Sequence, residues 1–523
     1  MNLPTPAIVT QAAVRRLPRI ALLLLCAAYL MPGLVGRGPW KSADIAAFGY
    51  MAELASSTEG IARWFDPLLL GLRPETPALV PYWIGAWAIK IAPSWVNPDL
   101  AVRIAFAVVL WFTFTATWYA VYYLARTPRA QPVAFAFGGE ALPKDYARAI
   151  ADGGLLALIA SWGLALAGHE TTPALAQLFF TSSMFYGVAA LPFRRIGATI
   201  ALGIGLLGMA LSGGPTVALL LGAGATVLVA AECRRARNAP RSDDDGPSYT
   251  AAMAWTVLGI TVVAGALAFS LGLVQWRIAL PGHHGLTSSV SSDLRSLFKL
   301  LIWFTWPTWP LAMWTLWRWR RQLSARHVAL PMWFALVPLA ATLTTEFSDR
   351  SLLLALPALA TLAAFALPTF RRSASALIDW FTLLFFTGLA VIGWFYWIAM
   401  LTGVPVKAAA SVARLVPGFV PHFSLIAFVL ALLATLAWIW LVRWRTGRHR
   451  AALWKTLVLP AGGTALCWML LMTLWLPPVD YARSYVPQVR AVTERVGSAA
   501  CLSTLGLGRQ PQRHEQHPAQ RGA

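Results

Sequence analysis

Residues 100–124 read LAVRIAFAVVLWFTFTATWYAVYYL, with Arg103 the one charged side chain among them. At about 1.5 Å of rise per residue such a helix exceeds the roughly 30 Å hydrocarbon core of a bilayer. Basic residues follow at Arg126, Arg129, Lys144 and Arg148, as expected where a span emerges on the cytoplasmic side. The same alternation of apolar run and basic cluster recurs along the chain. Runs near residues 20–35, 153–167, 173–191, 196–211, 215–231, 249–274, 297–317, 328–343, 351–370, 376–400, 423–442 and 457–476 bring the expected number of transmembrane helices to about thirteen.

Composition agrees. Of 523 residues 58% are hydrophobic and 12% charged, about half the charged share of a soluble domain. The chain is therefore an all-α integral membrane protein and not a string of soluble domains. Its formal charge of +21 would point to nucleic acid in a soluble protein. Here Arg15, Arg16 and Arg19, the cluster after residue 124, Arg194 and Arg195, Arg234 to Arg241, Arg318 to Arg326, Arg371 and Arg372, and Arg443 to Arg450 fall in loops of one parity. That parity marks the cytoplasmic side, so the charge reports topology, and no nucleic-acid partner is expected. An odd span count puts the N-terminus in the cytoplasm and the C-terminus in the periplasm of a bacterial inner membrane. The first run lacks a small-residue cleavage site and reads as an uncleaved helix. Cys26, Cys233, Cys467 and Cys501 have neither zinc-ligand spacing nor the pattern of a disulfide framework.

Two domains of unequal size are expected: a transmembrane domain over residues 1–477 and a short periplasmic tail over 478–523. The first periplasmic loop, 36–99, is unusual, because residues 43–54 and 78–92 are apolar and aromatic enough to form interfacial helices. Tyr82, Trp83 and Trp87 suit the headgroup layer. The tail past Cys501 has no core-forming residues and reads as disordered, with truncation or a shifted frame as the expectation for that end.

Ionisable residues beside the membrane are costly and mark function by default. Asp44 opens the first interfacial helix, where a carboxylate can cap the helix or act as a general base toward a lipid-borne substrate. His169 and Glu170 occupy a very short link between spans, as a polar turn or as part of a site. His283 and His284 lie in a glycine turn that suits a loop better than a metal site. Glu346, Asp349 and Arg350 precede the tenth run. Arg37, Lys41, Arg63 and Arg73 are candidates for pairing with phosphate.

These features together resemble a family. A long first outer loop with Trp40, then Asp44, an aromatic segment containing Tyr82-Trp83, and Arg103 beyond it is similar to the aminoarabinose transferase and protein O-mannosyltransferase superfamily of GT-C glycosyltransferases. The segment from Gly205 through Ser212-Gly-Gly-Pro215, and Arg350-Ser-Leu-Leu-Leu-Ala-Leu-Pro357, resemble further parts of that family. The resemblance covers most of the chain and implies a GT-C-like bundle. It implies a membrane enzyme moving a sugar from a polyprenyl-phosphate donor to a lipid, glycan or protein acceptor at the periplasmic face, with inversion. It makes Asp44 the catalytic base and Glu170 the second acid, which positions the first loop.

The family's basic positions depart. An Asp-Glu pair followed by Arg is replaced by Ile45 and Ala47, and a Lys-Pro before Tyr-Trp by Thr76-Pro77 or Pro77-Ala78. Either Arg63, Arg73, Arg277 or Arg350 takes over the phosphate beside Tyr82, or the donor differs, or activity is lost. A divalent cation could neutralise phosphate, though no ligand set stands out and no cofactor is assigned. A transporter or flippase of a lipid-linked or amphipathic solute is the alternative; such proteins carry internal repeats, and none is evident here.

Overall fold

The computed structural model describes residues 5–41, 43–58, 60–237, 249–274, 290–344, 349–447 and 452–496. Its helices are α1 (Arg19–Leu30), α2 (Ala43–Ser56), α3 (Ala62–Phe65), α4 (Val80–Ile91), α5 (Pro98–Ala125), α6 (Pro143–Ala160), α7 (Trp162–Ala167), α8 (Pro173–Ala190), α9 (Arg195–Ala210), α10 (Pro215–Arg237) and α11 (Ala251–Ser270). They continue as α12 (Val290–Phe304), α13 (Thr308–Arg318), α14 (Arg326–Thr344), α15 (Asp349–Leu353), α16 (Leu356–Ala366), α17 (Arg372–Thr402), α18 (Val406–Leu415), α19 (Leu425–Thr446), α20 (Lys455–Leu471), α21 (Leu476–Arg483) and α22 (Val486–Val496). Proline stands at the first or second position of α5, α6, α8 and α16, where its missing N–H breaks no helical hydrogen bond. Among the described residues no strand forms, only isolated bridges.

Five helices, α5, α10, α11, α17 and α19, are long and apolar enough to cross a bilayer in one piece, and α20 with α21 makes a further candidate bent by 69°. Of the other expected runs, 173–191 and 328–343 form unbroken helices, α8 of 18 residues and α14 of 19, and the rest are shorter or broken. Run 153–167 breaks at Ser161 between α6 and α7, run 297–317 at residues 305–307 between α12 and α13, and run 351–370 between α15, α16 and a closing 3-10 turn. Hydropathy reports an apolar environment, whereas continuity of a helix depends on its backbone ladder. At the first two breaks the backbone repairs itself across the gap: Trp162 N donates to Trp306 O at 3.0 Å. Irregular backbone survives in an apolar bundle only where protein satisfies it in this way.

α8 packs between α5 and α9, α6 meets α5, α16 and α20, and α17 and α19 lean on α20. The α8–α9 approach is close enough to require glycine. A Cβ at Gly205 would lie 2.6 Å from Met184 N and 2.8 Å from Phe180 O, and one at Gly187 2.8 Å from Ala198 O. Small residues at a helix crossing let the backbones approach, the usual solution inside membranes. By contrast α17 and α19 bury only 22% and 11% of their central stretches. Their apolar flanks suit lipid, and an ion pair between Asp379 and Arg445 ties them together.

The first long loop, between α1 and α5, contains both expected helices, α2 and α4, and they pack on each other and on α5. The tail expected after residue 477 is helical through α21 and α22. It docks on the first loop, where Lys41 N donates to Arg483 O at 2.7 Å and Trp40 bridges Ser484. The stretch beyond Cys501, like the acidic triplet at 243–245, lies outside the described residues.

Candidate active site

The chain leaves α1 through Gly33 and Gly36, whose φ values of 83° and 85° are left-handed and cheap only for glycine. That turn folds Arg37 back on itself. Its Nε donates to Gly33 O at 2.8 Å and its Nη2 to His169 O at 2.5 Å, while its guanidinium lies 4.6 Å from the centre of the Trp40 ring. One turn later α2 begins with Asp44, 3% exposed. Asp44 Oδ2 accepts from Trp40 N at 3.0 Å, and Oδ1 accepts from Thr171 N at 2.8 Å and Thr171 Oγ1 at 2.6 Å. Asp44 thereby ties the segment that enters α2 to the link before α8. An ionised carboxylate has about four acceptor sites, so three donors leave about one for another proton.

Glu170 sits beside Thr171 and pairs with Arg350 at 3.1 Å, which ties the link to α15. His169 is enclosed by Trp468 and Tyr29, ring centroids 4.4 and 5.2 Å away. Its Nδ1 lies 2.7 Å from Ala165 O and its Nε2 2.9 Å from Tyr29 O. A neutral ring can donate to only one of these carbonyls. Burial nevertheless dominates and lowers its pKa from 6.5 to about 4.

Arg103 enters from α5 and is 7% exposed. Its Nε donates to Asp99 O at 3.2 Å and its Nη2 reaches the Asp99 carboxylate one turn earlier. Its Nη1 is buried and has no hydrogen-bond partner among the described residues. Arg37 and Arg103 line one narrow cleft of about 10 Å³, room for about one water, together with His169 and the apolar Leu34, Phe106 and Leu175. Burial lowers the Arg37 pKa most, the nearby Asp44 carboxylate opposes that shift, and Arg103 adds to it. Two guanidiniums held this close in an apolar setting are costly unless anions face them. Asp44, Glu170 and Asp480 supply negative charge around Arg37, and an anionic ligand in the cleft would supply more.

The expected residues divide. Asp44, Glu170 and Arg350 come together at the link. Arg63 instead pairs with Glu53 at 2.9 Å and Arg73 with Asp66 at 2.9 Å, both within the first outer loop. Tyr82 is 4% exposed and its ring lies tilted 5.3 Å from that of Tyr50, because the pairing of α2 with α4 takes that face inside. Trp87, 55% exposed, keeps an outward face. Arg277, His283, His284 and Glu346 lie outside the described residues. Among the described residues no three His, Cys, Asp or Glu side chains group as metal ligands. Sequence reasoning left Arg103 and Asp480 without a role. The available signals were a charge inside an otherwise apolar span and an acid in the motif that opens the tail.

The architecture is that of the membrane-embedded GT-C fold, an all-α bundle with a long, helix-bearing first outer loop. Two crystal structures of ArnT from Cupriavidus metallidurans share it. The form bound to undecaprenyl phosphate superposes with a TM-score of 0.54 at 16% identity, over 94% of this chain and 81% of that one. The apo form gives 0.57 at 15% identity, over 96% and 84%. No protein-family model and no curated protein sequence matches the chain.

Proposed function

We propose that the protein is a glycosyltransferase that takes a sugar from a polyprenyl-phosphate donor and passes it to a lipid, glycan or protein acceptor at the periplasmic face. The observation that carries this reading is a nearly buried carboxylate, Asp44, beside a two-arginine cleft with a spare buried donor. The shared fold with a protein crystallised with undecaprenyl phosphate supports the donor class.

In this mechanism the narrow cleft widens to admit the donor's phosphate, with Arg103 Nη1 and Arg37 as its cationic partners. Charge-assisted bonds from guanidinium to phosphate are among the strongest available. Asp44 takes the proton of the acceptor hydroxyl or amine through its remaining acceptor site. The acceptor attacks the anomeric carbon from the face opposite the phosphate, and the bond from that carbon to the phosphate oxygen breaks. Polyprenyl phosphate departs as an anion, so no acid is needed to protonate it, and the sugar leaves with inverted configuration. Trp40 and Thr171 hold the carboxylate in one orientation, so no reorganisation is required as charge moves.

A divalent cation does not fit this donor set. Asp44 is engaged by Trp40 and Thr171, Glu170 by Arg350, and Asp480 by Gly38 and Trp40. No step is assigned to a metal. The arginine-rich ends of the helices are taken to face the cytoplasm, which puts the N-terminus inside.

The test is sugar transfer in reconstituted membranes from a panel of polyprenyl-phosphate sugars, comparing wild type with Asp44→Asn. Loss of at least about a hundredfold in turnover is expected, in line with removal of a general base. Full transfer by the variant would remove Asp44 from the chemistry. Solute flux without turnover on any donor would replace the enzyme by a transporter.

A further inference from the structure

The segment that carries Asp44 is held from the far end of the chain. Asp480, in α21, accepts at Oδ1 from both Gly38 N and Trp40 Nε1, each at 3.0 Å. The next turn adds the bond from Lys41 N to Arg483 O at 2.7 Å. Arg483 lies 5.3 Å from the Trp40 ring centre and Lys41 5.0 Å from that of Tyr485. Trp40 is 2% exposed and is the hub of this contact. Its backbone N–H holds Asp44, its ring receives Arg37, and its indole N–H is held by Asp480.

We propose that Asp480 is a positioning residue for the transfer reaction: through Trp40 it sets the place of both Asp44 and Arg37, and α21 acts as a strap that completes the site. The inference rests on the transfer reading for its kinetic consequence but not for its geometry. Two donors converge on one carboxylate oxygen, so the strap itself rests on geometry, and the charge that Asp480 adds around Arg37 is a separate contribution. Asparagine at 480 keeps an acceptor oxygen in that place, whereas alanine leaves both donors without one. The displacement is small, yet reacting groups misplaced by an ångström lose large factors in rate.

The experiment uses the full chain in lipid nanodiscs with Asp480→Ala, Asp480→Asn and Trp40→Phe. Without any donor present, amide hydrogen exchange over residues 38–45 is expected to quicken in Asp480→Ala and to stay at the wild-type rate in Asp480→Asn. With a polyprenyl-phosphate sugar that the wild type turns over, Asp480→Ala should lower kcat on the order of tenfold or more, with the larger effect on kcat than on KM. Asp480→Asn should restore most of it, short only of what the lost charge near Arg37 costs. Trp40→Phe combined with Asp480→Ala should cost no more than Asp480→Ala alone, because the two act through one contact. Unchanged exchange over 38–45 in Asp480→Ala overturns the strap, and an Asn variant as impaired as the Ala variant overturns the geometric role. If the wild type transfers sugar from no donor while exchange behaves as expected, the strap stands and the transfer reading falls.

Discussion

Arg103 has one more terminal nitrogen than its protein neighbours use, and that surplus makes the first residue-level prediction. Arg103→Ala should weaken undecaprenyl phosphate binding, measured by titration into nanodiscs, by about 1.5–3 kcal/mol, the scale of a hydrogen bond to a charged group. Arg103→Lys should recover only part of it, since a point charge replaces a planar fork. Equal affinity in wild type and Arg103→Ala would empty the cleft of its assigned role. His169 makes the second. Its folded pKa of about 4 lies below the ordinary 6.5, so between these values the unfolded chain binds the extra proton. Its contribution is intact above about pH 6.5 and falls by roughly 3 kcal/mol as pH drops to 4. Thermal unfolding in detergent should show this loss in the wild type and a flatter profile in His169→Gln. Asp44 and Glu170 were legible in the sequence because each is an acid stranded beside apolar runs. Arg103 stood out only as a charge within an apolar run and Asp480 only as an acid in the tail, because what gives them a role is a shared cleft and a partner about 440 residues away.

At the level of the elements, the α8–α9 crossing and the split spans carry the argument. Gly205→Leu would drive a side chain into the backbone of Phe180 and Met184. It should cost about 1–3 kcal/mol as an overpacking change, seen as a lower thermal midpoint, whereas Gly203→Leu, with open space around it, should change little. Apolar runs were legible because their composition is extreme. Their breaks at Ser161 and at 305–307 were not, because a break is decided by whether another helix supplies the missing hydrogen bond, as Trp306 O does for Trp162 N. The outer-loop helices were visible as apolar stretches, but their mutual packing depends on which faces meet, and the burial of Tyr82 followed from that.

For the molecule as a whole, α8 runs from the Asp44 link to an opposite pole, where Val188 O and Glu232 receive Arg326. Its 18 residues span about 27 Å, close to a bilayer core, so the two poles are expected on opposite sides. In a cysteine-free background, Arg73→Cys should react with a membrane-impermeant thiol reagent on intact cells, while Arg235→Cys should react only after lysis; the reverse pattern would invert the orientation. The bond between Asp480 and Trp40 has a further meaning for biosynthesis. At about 5–20 residues per second, the loop bearing Asp44 emerges on the order of half a minute or more before its anchor is translated. Through that interval the Asp44 segment lacks its partner in α21, so on the transfer reading proposed above activity waits until α21 has been made.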